Sequence, residues 1–267
     1  MVDEAKPLVE HLGELRKRLI FCLVSVGLGM IFSYVFYDIF ILDFIRGPID
    51  ALSGREDNPF VLLNPILPLL RSLRTRLENP GFTLHYIGPL EGLAVKLRLS
   101  LLCGIVMALP FVLFHIWKFI SVALKTKERK IAFVYFPISL ILFLAGILFA
   151  YFGMIPIGLY FLISISSELT PIITISKYAS LVYMLAFVFG LAFELPLMIL
   201  FLTKIGIVTP KFLAEKRKYA IFLMFVLAAF LTPPDVFTQL MLAIPVVILY
   251  EVSIWVSKIA HRKHNEQ

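Results

Sequence analysis

Long apolar runs recur along the chain, and they restrict its fold more than any other sequence feature. A run of about 20 residues, wound as an α-helix, crosses a hydrocarbon layer of about 30 Å. Of the 267 residues, 60% are hydrophobic, whereas soluble domains rarely exceed about half. We therefore predict an all-α polytopic membrane protein with a single membrane domain over 1–267. Six spans are predicted, at 19–40, 92–124, 131–153, 178–203, 219–232 and 237–257.

Lys and Arg residues indicate which ends of these spans face the cytoplasm. Most of them lie in the N-terminal arm, in the loops after the second and fourth spans, and in the tail. With six spans these segments share one side, and short cytoplasmic loops are enriched in Lys and Arg. The pattern predicts that both termini are cytoplasmic. The long loop at 41–91 also holds five arginines, but long loops cross the membrane largely regardless of charge.

Within that loop, the segment 58–77 (NPFVLLNPILPLLRSLRTRL) is apolar first and basic later. Its three prolines oppose a spanning helix. We predict an amphipathic segment that rests on the outer membrane surface, and a re-entrant segment is the alternative.

The predicted spans are unequal in length and contain prolines. The fifth apolar run, 219–231, gives about 20 Å of helix, roughly 10 Å less than the hydrocarbon core. A short span is accommodated by local bilayer thinning. Four prolines favour kinks within spans, and kinked helices of unequal length favour a curved wall over a closed bundle. These prolines are Pro110, Pro137, Pro196 and Pro245.

A turn separates the fifth and sixth predicted spans at Pro233, Pro234 and Asp235. The two prolines end one helix, and Asp235 is placed to accept hydrogen bonds from the first N–H groups of the next. Gln239 follows one turn inside the sixth span, on the same helical face as Asp235.

Glu194 is an acid at a depth where a charge is energetically unfavourable, about 13 Å from the cytoplasmic end of the fourth predicted span. An ionisable residue inside a membrane indicates a functional site unless shown otherwise. The alternative is a protonated carboxyl that is hydrogen-bonded to a hydroxyl or backbone group, which could still anchor a partner helix.

Glu14 is a second unexpected acid, because it lies among Arg16, Lys17 and Arg18 just before the first span. In a helix it shares a face with Arg18, and one interpretation is an ion pair between residues i and i+4. The other is that Glu14 and Glu128, an isolated acid in the loop KTKERK, together bind a cationic ligand. A guanidinium would suit, since it forms paired hydrogen bonds with carboxylates.

Several function classes lack support in this sequence. It has no GxSxG, HExxH or phosphate-binding glycine loop, so we predict no enzyme. Its histidines form no ligand cluster, and we predict neither a metal nor a cofactor. The net charge of +7 fits contact with anionic membrane lipid better than with nucleic acid.

Several stretches of the chain resemble the TatC family, the multispanning core of the twin-arginine protein translocase. They are HLGELRKRL (11–19), WKFISVALKTKERK (117–130), FGLAFELP (189–196), LTPPDVFTQ (231–239) and Pro48 in RGPI, which we expect at a structural turn. Val122 and Lys125 depart from a proline and a tyrosine that are frequent in the family. The region 51–82 looks like an insertion relative to typical members.

The resemblance implies a non-catalytic receptor that exports folded proteins by means of the proton gradient. It implies a curved, cup-like wall of six helices in the bacterial inner membrane, within a multimeric complex with single-span TatA-like and TatB-like subunits. The twin-arginine signal peptide of the cargo is expected to bind a cytoplasmic site. That site would include Glu14, Arg16, Phe119 and Glu128, and Glu194 and Gln239 match the family's intramembrane polar positions.

The competing interpretation is a proton-coupled secondary transporter of a small solute. Glu194 would then be the coupling site. A transporter has no evident use for Glu14 and Glu128 at the cytoplasmic surface, and this feature separates the two hypotheses.

Overall fold

The computed structural model describes residues 8–53, 57–65, 68–69, 84–122, 126–165, 172–231 and 236–265. This part of the chain is almost entirely helical. The helices are α1 (Leu8–Val35), α2 (Leu42–Ser53), α3 (Pro59–Leu62), α4 (Pro89–Val122), α5 (Thr126–Phe149), α6 (Ile155–Ser164), α7 (Ile175–Phe193), α8 (Leu195–Lys204), α9 (Pro210–Glu215), α10 (Arg217–Leu231) and α11 (Val236–Asn265). Two π-helical turns, Tyr37–Ile41 and Ala150–Met154, continue α1 and α5. The strands β1 (Leu84–His85) and β2 (Ile173–Thr174) pair in parallel.

Five stretches of the described residues are long and apolar enough to cross a membrane. They are Gly13–Val35, Pro89–Ser121, Phe133–Ser164, Ile175–Lys204 and Val236–His261. They overlap the first four predicted spans and the sixth. The predicted fifth span corresponds to α10, a helix of 15 residues. At 1.5 Å per residue α10 is about 22 Å long, which agrees with the short span expected from the sequence.

The third stretch extends beyond its predicted end at residue 153. A π-helical turn at Ala150–Met154 leads into α6, so helical structure continues to Ser164. Pro156 lies in the first turn of α6, where its missing N–H is tolerated. The segment between the third and fourth predicted spans, 154–177, is therefore helical as far as Ser164.

The prolines inside spans differ in their effect on the helices. Pro110, Pro137 and Pro245 lie within the continuous helices α4, α5 and α11. Pro196 lies at the start of α8, and the helix is interrupted at Glu194 between α7 and α8. Among the four, only Pro196 accompanies a break in a described helix.

α1 packs on α4 at a crossing of two glycines. A Cβ atom on Gly29 would lie 2.5 Å from the carbonyl oxygen of Gly104, closer than real Cβ atoms approach. The outward face of α1 remains exposed, including Leu19, Leu23 and Leu28, as expected for a surface that meets lipid. The glycine crossing fixes the height of α1 on α4, and so the position of the N-terminal arm.

α5 and α7 also approach closely, again at a glycine. A Cβ on Gly146 would lie 2.4 Å from the carbonyl oxygen of Phe189. Below this crossing the side chains of Phe143, Trp117 and Phe201 pack in one apolar cluster. The crossing brings the end of α7, with Glu194, against α5.

Pro48 was expected at a structural turn, but it lies inside α2. A proline has no N–H, so it leaves the carbonyl of residue i−4, here Phe44, without its helical donor. The hydroxyl of Tyr151 donates to the Phe44 carbonyl at 2.5 Å, and that of Tyr178 donates to the Ile45 carbonyl at 2.6 Å. These bonds fasten α2 to the helical core.

The segment 58–77 is described only in part. Asn58 caps α3 by accepting from the N–H of Phe60, and its amide donates to the Asp50 carboxylate at 3.1 Å. Residues 66–67 and 70–83 lie outside the described part of the chain, so the amphipathic segment stays a prediction.

Candidate functional site

The N-terminal arm contacts the end of α4 through its polar face. The guanidinium of Arg18 donates to the Glu14 carboxylate one turn away, and its Nη1 lies 3.3 Å from the carbonyl oxygen of His115 in α4. Arg18 is only 9% exposed, whereas Leu15 and Leu19 on the other face are exposed. The structure therefore contains the Glu14–Arg18 pair, which was one of the two alternatives from sequence.

The contact with Arg18 buries the Glu14 side chain only in part. Its side chain is 26% exposed, against 11% for that of Arg18. Its Oε2 oxygen is buried, however, so a second cation would reach the carboxylate only after the Glu14 or Arg18 side chain shifts. Arg16, two residues along, is exposed as well. The arm thus presents one anchored acid and two exposed bases, Arg16 and Lys17, at the same end of α4.

Phe119 and Glu128 belong to the same end of the molecule. Phe119 is partly buried and lies one turn beyond His115 on α4. α4 ends at Val122 and α5 begins at Thr126, so the chain between them spans at most about 15 Å. Glu128 is in the first turn of α5, and its side chain lies outside the described residues. The geometry brings the backbone of all these positions to one end of α4.

Glu194 occupies the break between α7 and α8. Its backbone N–H bonds the carbonyl of Leu191 at 3.1 Å in a tighter turn, and its carbonyl accepts from Met198 at 2.9 Å. Its side chain accepts a hydrogen bond of 2.8 Å from the hydroxyl of Ser139 in α5. Ser139 is 1% exposed, and none of the ion pairs between described side chains includes Glu194. A hydroxyl donor was among the alternatives from sequence, but its identity was not predictable.

Gln239 connects the last two helices through a hydrogen bond. Its amide donates to the carbonyl of Phe225 in α10 at 3.1 Å. Pro233, Pro234 and Asp235 lie outside the described residues, so the predicted cap on α11 stays a prediction. α10 ends at Leu231 and α11 begins at Val236, on either side of them.

Glu194 and Gln239 lie at different depths. The hydroxyls of Thr203 and Ser257 are 2.7 Å apart and set α8 against α11. Glu194 precedes Thr203 by nine residues, and Gln239 precedes Ser257 by twice as many. Helix rise therefore separates the two by about 13 Å along the helix axes. They are two separate polar positions at different depths in the membrane domain.

Sequence reasoning missed several contacts between described residues that shape these sites. The guanidinium of Arg217 binds the Glu251 carboxylate through two bonds of 2.7 and 2.9 Å, which ties α10 to α11. Lys96 binds Asp38 at 3.1 Å. Each pair joins residues more than thirty positions apart, and no local pattern marks such partners.

Comparison with known proteins assigns the family. The family model described as Sec-independent protein translocase protein (TatC) matches residues 10–245. The chain belongs to the TatC family. This assignment confirms the resemblance of the motifs and the all-helical polytopic fold, and it makes the chain a transport protein without enzymatic chemistry. It also removes the support for a small-solute transporter.

Individual TatC proteins are similar along almost the whole chain. TatCy of Bacillus subtilis (strain 168) is 37% identical over 258 residues, covering 96% of this chain and 90% of that protein. TatC of Carboxydothermus hydrogenoformans is 36% identical over 260 residues, covering 97% and 95%. A solved structure described as the twin arginine translocase receptor TatC superposes with a TM-score of 0.76 at 33% identity, covering 94% of this chain and 99% of that one.

Proposed function

We propose that this chain is the signal-peptide receptor of a twin-arginine translocase and that its arm binds the paired arginines. The observation that carries the proposal is the position of Glu14: an acid with a partly exposed side chain, held in place by Arg18 at the end of α4. The description of the solved relative as a receptor supports the same role.

Arg18 occupies the Glu14 carboxylate before any peptide binds. A guanidinium already binds the Glu14 carboxylate, so the position accepts the chemical group that a twin-arginine peptide carries. A carboxylate has about four acceptor positions, and a peptide arginine would share Glu14 with Arg18 or displace it. We assign Glu128 to the second arginine and Phe119 to the neighbouring apolar contact. Arg16 stays within the same site as an exposed base.

The cytoplasmic placement of this site follows from the clustering of basic segments. Arg18 bonds α4 near its carboxyl end, and the Thr203–Ser257 bond joins the carboxyl ends of α8 and α11. The basic segments next to these ends therefore gather at one end of the molecule. Short Lys- and Arg-rich segments face the cytoplasm, so we place both termini there, in the bacterial inner membrane.

Glu194 and Gln239 are proposed to dock the single-span TatA-like and TatB-like subunits of a multimeric complex. Their separation of about 13 Å along the helix axes suits one partner helix that crosses both levels. Polar side chains join helices within membranes, where each hydrogen bond contributes about 0.6–2 kcal/mol. Transport through this assembly would draw on the proton gradient.

Peptide binding tests the receptor proposal. The full chain in lipid nanodiscs is titrated with a twin-arginine signal peptide and with its twin-lysine version. Lysine lacks the planar fork of arginine, so we expect binding of the twin-lysine peptide to be at least about tenfold weaker, the loss of one charge-assisted hydrogen bond. Equal affinities would remove the receptor proposal.

A further inference from the structure

A groove of about 350 Å³ opens on the side of the helical domain between α4, α7 and the end of α10. Apolar side chains make most of its surface, and Arg98 is the one cation among its described lining residues. The residues that matter here are Arg98, Leu101, Ile105, Tyr183, Phe187 and Leu231.

Arg98 is exposed, and its guanidinium makes no hydrogen bond or ion pair with another described residue. Lys96, two residues earlier on α4, has partners for its charge, in contrast to Arg98. Its ammonium binds Asp38 at 3.1 Å and lies 5.0 Å from the ring centroids of Tyr34 and Tyr37. Two cations therefore lie at about the same height on α4, and the described residues leave the donors of the one in the groove available.

The height of Arg98 corresponds to a lipid headgroup. The contact between Arg18 and the His115 carbonyl marks the polar end of α4, and Arg98 lies seventeen residues before His115. Helix rise puts them about 26 Å apart, close to the thickness of a hydrocarbon core. Leu101 and Ile105 follow Arg98 toward the membrane centre. The groove is therefore cationic at its outer end and apolar toward the membrane centre.

The short α10 brings headgroups toward this position. Its 15 residues end at Leu231, which lines the groove. A helix of about 22 Å is roughly 8 Å shorter than the hydrocarbon core. Local thinning of the bilayer accommodates such a helix. Lipid phosphates on this side are thereby drawn toward the height of Arg98.

We propose that this groove binds an anionic phospholipid, with its phosphate on Arg98 and one acyl chain along Leu101, Ile105 and Phe187. A guanidinium forms two parallel hydrogen bonds with a phosphate. The hydroxyl of Tyr183, 2.9 Å from that of Ser180, adds a second polar group within the groove. This site is independent of the arm and of the signal-peptide proposal.

The test uses the full chain in phosphatidylcholine nanodiscs that contain a small amount of photoreactive phosphatidylglycerol, with a diazirine on one acyl chain. Mass spectrometry then locates the labelled peptides. We expect label on the α4 and α7 segments of the groove. We expect Arg98→Gln to reduce it about tenfold, the loss of one charge-assisted hydrogen bond. Arg46→Gln is the matched control, because Arg46 is an exposed arginine of α2 outside the groove.

A second variant tests the acyl chain separately. Ile105→Trp fills the body of the groove while Arg98 stays, and we expect it to reduce the label as well. Each variant must keep its thermal unfolding midpoint and its binding of the signal peptide. Unchanged label in Arg98→Gln, or equal label from a photoreactive phosphatidylcholine, would overturn the proposal. Absence of label in the wild type would also overturn it and would favour a protein partner as the occupant of the groove.

Discussion

Ser139 and Glu194 join α5 to the break between α7 and α8 through a hydrogen bond of 2.8 Å. The bond keeps the Glu194 side chain at a defined place inside the membrane, where an unpartnered acid is unfavourable by several kcal/mol. Pro196 contributes to the same arrangement, since it has no N–H to donate to the carbonyl four residues earlier and the helix is interrupted at Glu194 just before it.

Glu194→Ala should leave signal-peptide binding unchanged but reduce transport. The substitution removes the intramembrane acid about 13 Å from the end of α8, remote from the arm. Peptide affinity in nanodiscs and export of a folded reporter in cells measure the two effects separately. Glu194→Gln keeps an acceptor for Ser139, so it isolates the role of the ionisable group from that of the hydrogen bond. Normal transport by Glu194→Ala would show that the partner-docking assignment is wrong.

Tyr151→Phe should destabilise the chain by about 1–3 kcal/mol, because it leaves the partly buried Phe44 carbonyl without a donor. Thermal unfolding in detergent measures the effect. Tyr219→Phe, at an exposed tyrosine, is the control and should change little. The double variant Pro48→Ala, Tyr151→Phe should be less affected than Tyr151→Phe alone, since alanine restores the N–H that Phe44 lacks. Additive losses would contradict this explanation of Pro48.

Gly29→Ala and Gly27→Ala should have opposite effects although they lie two residues apart on α1. A Cβ on Gly29 meets the Gly104 carbonyl, whereas one on Gly27 meets nothing within 4 Å. We expect Gly29→Ala to destabilise the chain by about 1–3 kcal/mol and to weaken peptide binding by shifting the arm. Gly27→Ala should stabilise it by up to about 1 kcal/mol through helix propensity. Similar unfolding midpoints for the two variants would argue against the glycine crossing.

The long helices were predictable because their signal is local: twenty apolar residues are long enough to cross a bilayer wherever they occur. Even the short α10 was visible as a short run. The extension of the third helix to Ser164 was not predicted, because Gly153 and Pro156 resemble loop residues when π-helical geometry is not considered.

The polar sites were only partly predictable. Glu14 and Glu194 stand out because acids are rare in their surroundings, and a resemblance of motifs gives them roles. Their partners differ in sequence separation. Arg18 is one turn from Glu14 and was found, whereas Ser139 is 55 residues from Glu194 and was not. Tyr151 lies 107 residues from the Phe44 carbonyl that it binds. Such pairings depend on helix packing, which periodicity alone does not determine.

A double-mutant cycle between Glu14 and the peptide arginines tests the central claim most directly. Wild type and Glu14→Gln are each titrated with the twin-arginine and twin-lysine peptides, and Glu215→Gln serves as the control at an exposed acid of α9. If Glu14 binds the paired arginines, the cycle gives a coupling energy of about 1–3 kcal/mol, and Glu215→Gln gives none. A coupling energy of zero at Glu14, with discrimination between the peptides intact, would contradict the account.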